Sequence, residues 1–272
     1  MHAIGARLQQ GRQLPLTVIA LVAVIVAALL TWGAYPVIGS PLLIWVALVP
    51  LLLLCRSLPP TAAFFCGLAY GALSIQLICY WIYVVPGFRW YHGLPLALYL
   101  GLFPAVWCLC CALFGRLQHS FVLPGAALWV LLDYCKAHAG FLSFPWASLA
   151  HSQYEQTPLL QISAITGEHG VTFLIVLFNV ALAEWLVSRR GAAPLWAVLI
   201  VGAVWMFGDF TLTTADHAQE EQTTIAVVQP SILRTERQSA DGRAASFARL
   251  ASLTESAAAL GPDLIVLPES AL

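Results

Sequence analysis

The sequence predicts an α-helical polytopic membrane domain of about seven spans, followed by a short strand–helix–strand portion of α/β type. Three observations predict it. Hydrophobic residues make up 60% of the 272-residue chain and charged residues only 9%, where soluble domains carry about 25% charged residues. Up to Phe210 the apolar residues fall in long runs parted by short polar breaks. Beyond it the charge reverses: 8 of the 12 Lys/Arg and 5 of the 13 Asp/Glu precede Thr211, and the other 4 and 8 follow.

About 20 apolar residues in a helix cross the hydrocarbon core. Seven runs qualify, at roughly 14–32, 37–54, 61–85, 95–114, 121–135, 170–187 and 194–210. The first follows Arg7 and Arg12 in the manner of a signal peptide. Its length and the six runs after it make it a retained signal-anchor. The fifth is the shortest, bracketed by Pro124 and Asp133, and is either spanning or re-entrant.

Seven spans with a cytoplasmic N-terminus put Arg7, Arg12, Arg56, Arg116, Arg189 and Arg190 inside, against Arg89 and Lys136 outside. That is the sense of the positive-inside bias, and it places the C-terminal region outside the cytoplasm. Two loops share that outer side: "VPGFRWYHG" (85–93) and a long one at about 134–169 containing "FLSFPWASLAHSQYEQ". Their Trp and Tyr anchor helices at headgroup level or form a lipid-binding surface. His138, His151 and His169 match no metal motif by spacing and read as solvated or interfacial. Glu184 is the main intramembrane acid. Its position near Arg189 and Arg190 is explained by snorkelling or pairing, and Asp133 sits at a span end. The "CLCC" run at 108–111 reads as small apolar helix surface, with metal binding or lipidation as alternatives. A net charge of −1, without basic patches interleaved with aromatics, gives no case for nucleic acid.

Residues 211–222, "TLTTADHAQEEQ", are polar without an apolar period and read as a linker. Ile225 to Val228 is a short β-branched run ended by Pro230. Phe247, Leu250, Leu253, Ala257 and Leu260 then mark one face of a helix that Gly261 and Pro262 stop. Leu264 to Leu267 is a second apolar strand, extended into Pro268. A βαβ unit follows, with parallel strands of the kind covered on both faces. Ligands in such sheets bind at the carboxyl ends of strands, where Glu269 stands. A post-strand acid is also an ordinary solvated loop residue.

"IAVVQPSI" followed one helix later by "DLIVLPES" resembles the opening of the nitrilase, or carbon–nitrogen hydrolase, domain. Such a domain behind a block of spans, with "FPW" at Phe144–Trp146 in a long outer loop, is similar to the apolipoprotein N-acyltransferase family. The resemblance implies a multi-pass protein of the bacterial inner membrane, with its nitrilase-like portion (223–272) on the periplasmic side. It implies two membrane-bound partners: a phospholipid acyl donor and a lipid-modified lipoprotein acceptor. A cysteine thiolate would take the acyl chain as a thioester and pass it to the N-terminal amine of the lipoprotein. Glu269 would be the catalytic base, since the thiolate is the nucleophile, and a lysine would stabilise the oxyanion. No cofactor or metal is implied.

The family places its lysine and cysteine after the glutamate. Here Lys136 is the sole lysine, all seven cysteines precede Thr223, and the sequence given ends at Leu272. The expectation is therefore an incomplete chain, inactive alone. The alternatives are a non-enzymatic membrane protein whose α/β tail pairs with a partner, and a membrane-tethered nitrilase-like amidase.

Overall fold

The computed structural model describes residues 15–115, 120–214, 223–232 and 239–269. Arg7, Arg12, Arg116 and most of the expected linker, from 215 to 222, lie outside the described residues. The chain divides into two compact units, Met1–Thr214 and Ala215–Leu272.

The first unit is helical: α1 Leu16–Gly33, α2 Ile44–Ala47, α3 Val49–Ser57, α4 Pro60–Ile78, α5 Gly93–Phe114, α6 Val122–Ala137, α7 Thr157–Leu160, α8 Ser163–Thr166, α9 Glu168–Ser188 and α10 Ala193–Thr214. Among the described residues, five helices are long and apolar enough to cross a membrane, lying within α1, α4, Trp90–Phe114, α9 and α10. The seven expected runs are thus cut to five at this length. The run at 37–54 is broken into a 3-10 turn at Pro41–Leu43, α2 and α3. The run at 61–85 leaves the helix at Ile78 and continues as a 3-10 turn, Tyr80–Val84. The run at 121–135 becomes α6, of 16 residues, about 24 Å at 1.5 Å per residue. At the other end, α10 continues to Thr214, past Phe210. The hydroxyls of Thr211, Thr213 and Thr214 donate back to the carbonyls of Phe207, Asp209 and Phe210, so the helix absorbs their polarity.

The break between α2 and α3 has a local cause and a distant remedy. Pro50 has no N–H, so the Val46 carbonyl loses its partner in the next turn. In an unbroken helix the Leu48 N–H would bond the Ile44 carbonyl. Instead Leu48 N–H donates to Asn179 Oδ1 at 2.9 Å, and Asn179 Nδ2 donates to the Ile44 carbonyl at 2.9 Å. A fully buried carboxamide from α9 is thereby inserted into the gap. It also donates to the Ile175 carbonyl of its own helix, so its acceptor and both donor hydrogens are used. Around this joint the core collects Ile44, Leu48, Leu51, Trp107, Val171 and Val176, all buried.

α4 and α5 meet backbone to backbone through Gly67, Gly71 and Gly101. A Cβ on Gly67 would lie 2.6 Å from the Pro104 carbonyl oxygen, and one on Gly71 would lie 2.8 Å from Gly101 Cα. Small residues four apart permit this approach, as in membrane helix pairs generally.

In the second unit, β1 (Ile225–Val227) pairs in parallel with β2 (Leu264–Val266), Ile225 opposite Leu264, with α11 (Ala240–Ala258) between them in sequence. Ser239 caps α11, its hydroxyl accepting from the Gly242 N–H at 3.0 Å. Thr224 N–H donates to Asp263 Oδ2 at 2.7 Å, and Asp263 N–H to the Thr224 carbonyl, fixing the register at the strand entry. Leu250 of the expected helix face is buried, whereas Phe247 and Leu260 are exposed, as are Ile225, Val227, Leu264 and Val266 of the strands.

Replacing Asn179 with Leu strands two buried backbone groups at about 1–3 kcal/mol each. We expect Asn179→Leu to lower the unfolding midpoint in a detergent titration markedly. Asn179→Asp, which accepts from Leu48 but cannot donate to Ile44, should recover little of it. A midpoint unchanged in Asn179→Leu would remove the inserted carboxamide as the support of this joint.

Candidate functional site

Each unit carries a candidate site. In the second, the parallel pairing puts the carboxyl ends of both strands on one edge. Val228 N–H donates to the Val266 carbonyl at 3.0 Å, the last rung before that edge. Pro230 and Val228 are buried and Gln229 is exposed. Ser231 follows with φ +49°, a left-handed backbone uncommon for serine. On β2 the chain leaves through Leu267 and Pro268 to Glu269, which is exposed. A carboxylate there meets one requirement of a general base, access. The other is a thiol within about 3 Å, and all seven cysteines belong to the first unit.

The site of the first unit is built at the C-terminal end of α6. Asp133 and Lys136, three apart on one helix face, form a buried ion pair of 2.6 Å. Lys136 Nζ also donates to the Trp146 carbonyl at 3.1 Å, and Phe144 N–H donates to the Lys136 carbonyl at 3.0 Å. The Phe144–Trp146 segment is therefore held by its backbone. Tyr35 adds a further hold, its hydroxyl donating to the Ser148 carbonyl at 2.7 Å. Burial pushes the Tyr35 phenol well above its ordinary range, which keeps that donor neutral. Ala147, between the two anchors, takes φ +61°. Phe144 turns inward, while Trp146 is half exposed against Trp81, ring centroids 5.8 Å apart. Trp90 and Phe141 are almost fully exposed.

Beneath the Phe144–Trp146 segment lies a cavity of about 70 Å³, lined by Thr31, Tyr70, Ser74, Trp129, Asp133 and Lys136 among others. Ser74, near Tyr70, is buried there. A larger apolar crevice of about 370 Å³ is lined by Leu42, Trp45, Phe178, Val201 and Trp205, with Gln153 and Gln156.

The histidines part company. His138 stacks on Tyr134 at 4.0 Å between ring centroids. His151 Nε2 lies 2.6 Å from Glu168 Oε2, and His169 packs edge-on to Tyr134 at 5.6 Å. Glu184 does pair, but its cation is Arg56 at 3.6 Å, in place of the expected Arg189 or Arg190. Its main partners are the Phe121 N–H at 2.6 Å and the Ser120 hydroxyl at 3.0 Å. The Asp133–Lys136 pair escaped the sequence reading, although acid and base three apart at a helix end was a usable signal.

Residues 27–181, more than half of the chain, match the family model described as the apolipoprotein N-acyltransferase N-terminal domain. The chain belongs to that family. The match stops inside α9, so it bears on the helical unit. Alignments with curated relatives reach further. The chain is similar to an apolipoprotein N-acyltransferase of Geobacter metallireducens, 33% identical over 261 residues, covering 88% of this chain and 48% of the relative. It is similar to that of Gloeobacter violaceus at 31% over 252 residues, with the same coverages. With that of Nitrosomonas europaea it shares 29% over 228 residues, covering 79% and 44%. The chain thus spans about half the length of the curated relatives it matches. Family and helices together make it a multi-pass membrane protein.

Removing one partner of a buried pair leaves an uncompensated charge, at about 3–5 kcal/mol. Lys136→Met alone is expected to destabilise the first unit strongly, and Lys136→Met with Asp133→Asn much less. A double-mutant cycle on thermal unfolding in detergent checks this; additive effects of the two changes would contradict the pairing.

Proposed function

We propose that this chain supplies the membrane block and the glutamate corner of an apolipoprotein N-acyltransferase. The observation that carries the reading is the conjunction, in one chain, of the matched helical unit and Glu269 at the carboxyl edge of a parallel strand pair. In the reaction, Glu269 takes the proton of a cysteine thiol. The thiolate attacks the ester carbonyl of a phospholipid, a C–S bond forms, and the C–O bond breaks. The lysophospholipid alkoxide leaves with the proton from Glu269. The N-terminal amine of the lipid-modified cysteine on a lipoprotein then attacks the thioester, a C–N bond forms, the C–S bond breaks, and the amine's proton passes by way of Glu269 to the thiolate, restoring the thiol. Donor and acceptor both reside in the membrane, which accounts for tethering the chemistry to helices.

The lysine and cysteine of the mechanism are assigned to no residue of this chain. The exposed apolar residues of β1 and β2 suit a sheet that further layers cover. The 370 Å³ crevice beside Trp45 and Trp205 has the size and polarity to take part of an acyl chain.

The proposed topology keeps seven crossings, with Pro41–Ser57 and α6 as short ones. Pro41–Ser57 has 17 residues, at the low end of the spanning range of about 17–25. The N-terminus is then cytoplasmic and residues 223–272 lie on the periplasmic side of a bacterial inner membrane.

The test joins residues 1–269 of this chain to the remaining part of the Geobacter metallireducens relative and follows acyl transfer to a fluorescent lipopeptide. The chimera should turn over. Glu269→Gln should lower kcat about 10²–10⁴-fold with little change in KM, and the 272-residue chain alone should show no transfer. Full activity of the Glu269→Gln chimera, or turnover by the 272-residue chain with no other protein, overturns the reading.

A further inference from the structure

We infer that Asp133, Glu168 and His169 form a binding site for one divalent transition-metal ion, with zinc the ion of best fit, joining the end of α6 to the start of α9. One potential ligand atom from each of the three side chains lies within 4.8 Å of the other two. Asp133 is buried and the other two are partly buried, so an ion here is shielded on the Asp133 side and open to water on the Glu168 side. Two carboxylates and one imidazole are a donor set that suits zinc, whose fourth position a water can fill.

Three observations go beyond the clustering. First, His169 Nδ1 is buried with no hydrogen-bond partner among the described residues. Such an orphan is rare in a folded protein, and a metal ion satisfies a ring nitrogen lone pair directly. Second, among the described residues each carboxylate is held through one oxygen. Lys136 Nζ pairs with Asp133 Oδ1 and His151 Nε2 lies on Glu168 Oε2, both at 2.6 Å. That arrangement leaves Asp133 Oδ2 and Glu168 Oε1 as ligands, and it is the outer support that orients metal-binding side chains. Third, the negative end of the α6 dipole favours a cation beside Asp133, offsetting the opposite bias at the first turn of α9.

With bonds of about 2.0–2.2 Å, tetrahedral ligands stand roughly 3.3–3.6 Å apart, so the side chains, within 4.8 Å of one another, need close by at most about 1.5 Å. Glu168, partly exposed in the first turn of α9, has the freedom to do so. The residues span positions 133 to 169, which is why no short spacing motif announces them. The ion would clasp the two ends of the long loop that carries the Phe144–Trp146 segment. This role is structural and independent of the acyl-transfer reading.

The test uses the full chain purified in detergent, stripped with a chelator, reacted with N-ethylmaleimide and dialysed against zinc chloride. Bound metal is counted by mass spectrometry and thermal unfolding is followed with and without zinc. The expected result is one zinc per chain and a raised Tm. Glu168→Gln and His169→Ala should each weaken binding roughly tenfold or more, while His138→Ala keeps it. Cobalt substitution of the unaltered chain gives a second readout that needs no variant, and should show a nitrogen–oxygen ligand spectrum. Absence of bound zinc, equal binding by wild type, Glu168→Gln and His169→Ala, or a thiolate-to-cobalt charge-transfer band would overturn the site.

Discussion

Inside a bilayer a backbone N–H or C=O without a partner has no water to turn to, so an interrupted helix survives only if the protein replaces the missing bond. The Asn179 carboxamide does this at the α2–α3 break, standing between Leu48 N–H and the Ile44 carbonyl. The consequences spread from that point. The break lets α3 start afresh at Val49, and five of its nine residues, Val49, Leu51, Leu52, Leu54 and Cys55, are buried. α9 can carry an amide in its middle only because α2 and α3 consume it. Position of the core and placement of α9 are therefore one problem with one solution.

The two ends of the helical unit follow the same rule with charges. At one end Glu184 accepts from the Ser120 hydroxyl and the Phe121 N–H at the α6 entry, with Arg56 nearby. An acid at a helix start suits the dipole. At the other end Asp133 and Lys136 pair with each other, and Lys136 donates a second hydrogen to the loop carbonyl of Trp146. α6, the shortest of the apolar runs, is thereby fastened at both ends by ionised groups. The α4–α5 glycine contact lies beside the 70 Å³ cavity, which Gly71 helps to line.

The apolar runs of α1, α4, α5, α9 and α10 were legible because run length is a local property. So was the strand–helix–strand order, since β-branched runs, a helical period and Gly261–Pro262 punctuate it within fifty residues. The breaks were not. Pro50 was visible, but the group that makes its break tolerable lies 131 residues away from Leu48, and a lone Asn inside an apolar run carries no sign of its partner. Glu184 was singled out correctly as needing company, yet the nearest arginines in sequence were not the nearest in space. Asp133 was seen as a span end and Lys136 as a loop residue, because the helix boundary assumed between them hid their common face. Glu269 follows the carboxyl end of β2 and is exposed.

The proposed topology puts the 85–93 loop and residues 223–272 on the periplasmic side and the Arg189–Arg190 turn on the cytoplasmic side. Side-specific thiol labelling tests this most directly. In a cysteine-free background expressed in a bacterial inner membrane, Ala244→Cys on α11 should react with an impermeant maleimide in spheroplasts. Ala192→Cys, beside the arginine pair, should react only after the membrane is opened. Labelling of Ala192→Cys in intact spheroplasts with Ala244→Cys protected would contradict the account.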